Sequence, residues 1–272
     1  MPLTGSLKSL VLRGLFAGLI AGLLTGAVAF ALGEPHVAAA IEIEESAGAG
    51  ADATAAHDDG EPAAPHSHSD SDEPLVSRDG QRAGLILATS LAGVAFGAIF
   101  GVAAHYARRF TAMSGPLLAL GLAGAGWLAV EAVPFFKYPA NPPAVGDPDT
   151  MNERTLLWVA ALALGLAAVG AAVYVAKKLA SQRYWTLRTA AAIVTFLAIV
   201  TVGYLVLPTV NEVAEDFPAT LLWQFRISSL ATQATLWLSL GVAFAYLTER
   251  AQRGAASPAA TPEHAPTDTT RP

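Results

Sequence analysis

Glu131 is the acidic side chain that stands inside an apolar stretch of this sequence, a few residues before Pro134. A carboxylate there is costly unless it faces a cavity, a partner or the interface, so it reads as a pathway residue or as an interfacial charge just below the helix end. Other candidate ligands lie in the connections. Glu34-Pro35-His36 leaves the first apolar stretch, placing a carboxylate and an imidazole at its mouth. His57, His66 and His68 are interspersed with Asp58, Asp59, Asp70 and Asp72, and imidazole with carboxylate suits divalent first-row metals. The same composition also describes a solvated acidic linker. Asn211, Glu212, Glu215 and Asp216 bring further oxygen ligands after the fifth stretch, although Asp216 followed by Phe217-Pro218 equally suits the start of a helix.

The last stretch is polar on its first half. Arg226, Ser229 and Gln233 follow steps of three and four residues, beside Ser228, Thr232, Thr235 and Ser239. Such a face avoids lipid; it lines a hydrated path or bonds to other helices. Arg226 is a natural ion-pair partner for Glu131 or Glu212.

Positioning these groups falls to long apolar stretches near 10–32, 84–104, 115–136, 155–176, 189–208 and 228–247. A hydrocarbon core of ~30 Å needs about 20 helical residues. Hydrophobic residues make up 53% of the 272 and charged residues only 14%, a balance foreign to soluble domains. The expectation is an all-α, polytopic bundle of six transmembrane helices, with a membrane domain over residues 1–250. Residues 46–74 within it and the tail 251–272 lack the apolar content for a core and are expected to be disordered.

Basic residues set the orientation. With a cytoplasmic N-terminus and six crossings, Lys8, Arg13, Arg108, Arg109, Lys177, Lys178, Arg183, Arg188, Arg250, Arg253 and Arg271 all fall inside, the majority of the 16. Both termini are then cytoplasmic, and the acidic tracts, which underlie the net charge of -6, form a cation-attracting outer field. Ala29-Phe30-Ala31 resembles a signal-peptidase site, and cleavage there would leave five spans. Retention is favoured, because Gly14, Gly18, Gly22 and Gly26 recur every four residues and mark a close-packing groove. Gly93, Gly97 and Gly101 repeat the spacing in the second stretch, so these helices approach each other, another subunit or a second copy.

Gly33 and Pro35 read as ordinary helix-ending devices. The segment from Phe136 to Thr150 holds four prolines, which fix backbone angles at short intervals and predict a shaped loop. Enzymes are disfavoured: HExxH and GxSxG are absent, zero Cys removes thiolate chemistry, and a lone intramembrane carboxylate does not supply an acid and base pair. His105, beside Arg108 and Arg109, reads as interfacial. A GxxxxGK[ST] nucleotide loop is also absent.

Three longer passages carry a resemblance. RGLFAGLIAGLLTGAVAFALGEPHVAAAIEIEE at 13–45, KYPANPPAVGDPDT at 137–150 and LPTVNEVAEDFPATLLWQFRISSLATQATLW at 207–237 resemble the CbtA family of predicted cobalt transporter subunits. The resemblance implies a multi-pass protein of the bacterial inner membrane that serves cobalt uptake in organisms using the metal for cobalamin. A small His-containing membrane subunit, CbtB, is the implied partner beside the lipid bilayer. Divalent cobalt is then cargo, with nickel or another divalent metal as alternatives. No permanently bound cofactor and no nucleic acid are expected, and the resemblance supplies no ligand set. The leading expectation is therefore capture by Glu34, His36, His57, His66, His68, Glu212 and Asp216, followed by passage along Glu131 and the polar face of the last helix. The alternative is a metal-binding scaffold or sensor that transports nothing itself.

Overall fold

The computed structural model describes residues 3–55, 77–146 and 148–256. They form helices and loops, with no strand among the described residues. Among the described residues eight α-helices appear in order: α1 (Leu7–Val28), α2 (Glu34–Ala55), α3 (Arg78–Ala107), α4 (Gly115–Gly126), α5 (Val133–Lys137), α6 (Met151–Lys178), α7 (Trp185–Val206) and α8 (Ala219–Ala256). Continuous helical segments at Leu7–Ser46, Arg78–Phe110, Gly115–Lys137, Met151–Lys178, Trp185–Val206 and Ala219–Gly254 give six spans long and apolar enough to cross a bilayer. The chain is a multi-pass membrane protein.

Local sequence starts these helices in ordinary ways. Ser6 caps α1 by accepting the Ser9 backbone N–H at 3.2 Å, and Ser77 caps α3 through Gly80 at 3.2 Å. Pro116 lies in the first turn of α4, where its missing N–H costs nothing.

The central packing is α1 against α3 on one side and α8 on another, with α4 also on α8. Leu10, Ala17, Ala21, Phe100, Leu240 and Phe244 belong to this core, and Phe100 meets Phe244 edge to face at a centroid distance of 5.1 Å. The α1–α3 contact is almost backbone on backbone. A Cβ added to Gly14 would stand 2.1 Å from the Gly97 carbonyl oxygen, and one added to Gly18 would stand 2.1 Å from that of Gly93. Gly101 faces the Leu10 backbone, Gly22 that of Thr89 and Ser90, and Gly26 the Thr89 side chain. Without a hydrophobic force between helices in lipid, such close approach is what dispersion and packing require. α7 contributes no buried residue and packs chiefly on α6.

One expectation is corrected. Gly33 and Pro35 do not end the first helix: α1 runs through a π-helical turn at Ala29–Gly33 directly into α2. The Glu34 N–H reaches back five residues to the Ala29 carbonyl, and the widened turn makes room for the Pro35 ring, which has no N–H to offer the usual carbonyl. Helix continues to Ala55, inside the stretch expected to be disordered from residue 46; residues 56–76 lie outside the described residues, as do 257–272 of the tail.

The third span repeats the device. Trp127–Ala132 is a π-turn between α4 and α5, the Val133 N–H reaches the Leu128 carbonyl, and Pro134 follows. Glu131 sits within this turn.

Candidate functional site

Glu131 is half-buried, and its Oε1 accepts from the Trp237 indole N–H at 3.3 Å. Trp237 reaches it across a gap that Gly126 leaves open, since a Cβ on Gly126 would lie 2.1 Å from the indole ring. Phe96 fixes that ring from the side, edge to face at 5.6 Å. The carboxylate thus has one neutral donor among the described residues and opens into a cavity of about 500 Å³.

This cavity gathers residues distant in the chain. Glu131, Glu212, Arg226 and Gln233 all line it, beside Arg154, Thr155, Trp158 and Asn141. All lie at the end of the bundle where spans one, three and five finish and spans two, four and six begin. The Gln233 Oε1 is buried and has no hydrogen-bond partner among the described residues.

The charged groups are sorted by the loops. Arg226 pairs with neither Glu131 nor Glu212, contrary to the simplest charge matching. Its Nε donates to the Ala140 carbonyl at 3.3 Å and its Nη2 to Asn141 Oδ1 at 3.0 Å, so it fastens the proline-rich loop. Glu212 instead meets Arg154 at 2.8 Å and accepts from the Thr150 hydroxyl. Gly146, at φ 132°, leaves the Arg154 guanidinium its passage, because a Cβ there would come within 2.6 Å of Nη1. Ala144 adopts the left-handed region at φ 65°, beside the turn in which the Val145 N–H donates to Pro142, a strain a non-glycine residue bears when its surroundings hold it. Tyr138 donates its hydroxyl to the Pro208 carbonyl at 2.8 Å, and burial pushes this phenol above its ordinary range, so it keeps the proton it donates.

A second cavity, of about 420 Å³, adjoins the first: Ala140 and Gln233 line both. Ser229 and Glu34 belong to this second space. The Glu34 carboxylate is held by Arg78 at 2.8 Å and Arg82 at 2.9 Å, so its charge is matched by two guanidiniums. His36 and Asp216 line neither cavity, and Asp216 is exposed. His57, His66 and His68 lie outside the described residues. Among the described residues no cluster of three or more His, Asp and Glu is placed to hold a metal ion.

Sequence reasoning missed Arg154, Asn141, Trp237 and Gly126. Arg154 and Asn141 lie in or beside loops where polar residues are unremarkable. Trp237 and Gly126 resemble ordinary membrane-helix composition, and only the packing reveals that one reaches past the other.

The chain belongs to the CbtA family: the family model described as a probable cobalt transporter subunit matches residues 7–249. That match covers the first five spans, all but the last few residues of the sixth, and both cavities. A transporter subunit works in the bilayer beside other subunits, and the family's description points to cobalt as the transported ion. No curated protein and no solved structure matches the chain.

Proposed function

We propose that this protein is the membrane subunit of a divalent-metal uptake system of the bacterial inner membrane, cobalt being the first cargo, and that the metal enters through the cavity at Glu131. The supporting observation is the convergence of Glu131, Glu212, Arg226 and Gln233, from three separate parts of the chain, on one open space. A half-buried carboxylate with a single neutral partner is an attractive seat for positive charge, and Gln233 lines the same space.

The positive-inside distribution puts this end of the bundle on the extracytoplasmic face, with both termini in the cytoplasm. His36, together with His57, His66 and His68 in the acidic connection, then captures metal outside and feeds it inward. Asp216 belongs to the same acidic rim. Glu34 and Glu212, already paired with arginines, shape the entrance rather than hold the ion. A path from the first cavity to the second passes Gln233, with Ser229 beyond it. One carboxylate, Glu131, and weak neutral ligands give a transient stop, as passage requires, where a closed ligand cage would trap the ion. A small His-containing CbtB-like subunit is the partner in this scheme, and the chain's own sequence has no nucleotide-binding loop to drive uptake.

Cobalt accumulation in cells carrying wild-type chain or Glu131→Ala at equal membrane levels tests the route. The expected outcome is a loss of at least tenfold in the variant. Unchanged accumulation removes Glu131 from the route. Sealed vesicles containing the purified chain, with and without the small subunit, separate transport from a scaffold or sensor role: binding without flux under both conditions favours the latter.

A further inference from the structure

The first cavity has room for more than a bare ion, and its charges balance in number. An ion with six waters, at about 30 Å³ per water, fills about 180 Å³, whereas the space measures about 500 Å³. Pockets of about 300–1,000 Å³ are the range that holds small organic ligands. Its two carboxylates, Glu131 and Glu212, are equalled in number by two guanidiniums, Arg154 and Arg226, so the lining as a whole carries no net charge, although Glu131 itself has no ionic partner among the described residues. Trp158 and Phe135 add aromatic surface that an aquated ion does not use.

The arginines divide the work. Arg154 is committed to Glu212 at 2.8 Å. Arg226 spends two donors on Ala140 and Asn141, and a guanidinium has five, so Nη1 keeps donors with no partner among the described residues. A guanidinium with spare donors in a cavity is suited to a carboxylate. Glu131 lines the same space with acceptors only, and Gln233 lies in its wall with its amide oxygen buried.

We infer that the cargo occupies this cavity as a chelate, a divalent metal already held by a small carboxylate-bearing organic ligand. A carboxylate oxygen of the chelator accepts from Arg226, the metal faces Glu131, and the organic part lies on Trp158 and Phe135. The inference rests on the transport reading above and specifies the form of its substrate. It also explains why no three-ligand metal cluster is needed among the described residues: the chelator brings most of the coordination with it.

Equilibrium binding of doubly labelled complexes to the full chain in lipid nanodiscs tests this, using radioactive cobalt with carbon-labelled citrate or histidine. The expected result is retention of both labels in a fixed ratio for at least one of the two chelators. Arg226→Gln then lowers chelate retention at least tenfold, and by more than it lowers retention of cobalt added alone, and Arg226→Lys, which keeps the charge but not the fork, falls between. The wild-type label ratio requires no variant, so a misfolded Arg226→Gln protein leaves the test intact. Cobalt retained without either carbon label, and stripped by chelator as its free concentration falls, overturns the chelate while leaving metal transport standing. No retention of cobalt in any form, with no effect of the chain on cellular accumulation, overturns both.

Discussion

Two places in this bundle solve the same backbone problem and end with opposite electrostatics. At Ala29–Gly33 and at Trp127–Ala132 a helix widens into a π-turn just before a proline, and each turn holds or abuts a carboxylate. Glu34 is clamped by Arg78 and Arg82. Glu131 receives only an indole N–H and faces the larger cavity. The difference teaches that a π-turn and proline do not by themselves make a functional carboxylate. What distinguishes Glu131 is the charge left unmatched, because a membrane charge without its counter-ion persists only where something else is to meet it.

The comparison can be broken at several depths. The largest effect is expected from Gly97→Leu, which drives a side chain into the Gly14 backbone beneath both sites. Overpacking of this kind costs about 1–3 kcal/mol or more, and the detergent-solubilised protein should lose most of its folded yield by size-exclusion chromatography. Gly170→Leu, at a position with open space around it, is the control and should leave the yield unchanged.

Glu34→Ala comes next. It leaves two guanidiniums without their shared partner, but both are more than a third exposed and water replaces the carboxylate, so stability should fall by only about 1 kcal/mol, read as a fall in Tm. The comparison is sharpened if cobalt accumulation falls no more than the amount of folded protein.

Trp237→Phe should do the reverse. It keeps an aromatic ring against Gly126 but removes the donor to Glu131, a change worth about 0.5–1.5 kcal/mol; Tm should move little while the concentration of cobalt giving half-maximal uptake shifts severalfold. Arg82→Ala should have the smallest effect, with Tm nearly unchanged, because this guanidinium is exposed and Arg78 still holds Glu34 at 2.8 Å. A large loss of uptake from Arg82→Ala would mean that the Glu34 site is as functional as the Glu131 site.

The spans were legible from apolar length, because crossing a bilayer leaves few alternatives to a long uncharged helix. The π-turns were not. Gly33 followed by Pro35 is a stop signal when each residue is read locally, yet an extra residue in the turn absorbs the proline and lets the helix continue. The unusual polar residues Glu131, Gln233 and Arg226 stood out because their surroundings are apolar. Their partners did not, since opposite charge says which groups attract but not which are within reach. Arg226 illustrates this: a loop carbonyl and Asn141 lie closer to it than either glutamate's carboxylate, and Arg154 claims Glu212 first.

The absence of Cys makes one direct measurement clean. Val213→Cys places a single thiol in the wall of the first cavity, and a membrane-impermeant maleimide is added to intact spheroplasts with and without cobalt. The account predicts labelling from outside that cobalt slows, with the slowing abolished when Glu131→Ala is combined with it. Labelling only after the membrane is permeabilised, or at a rate cobalt never changes with or without chelator, would contradict the claim that metal enters here.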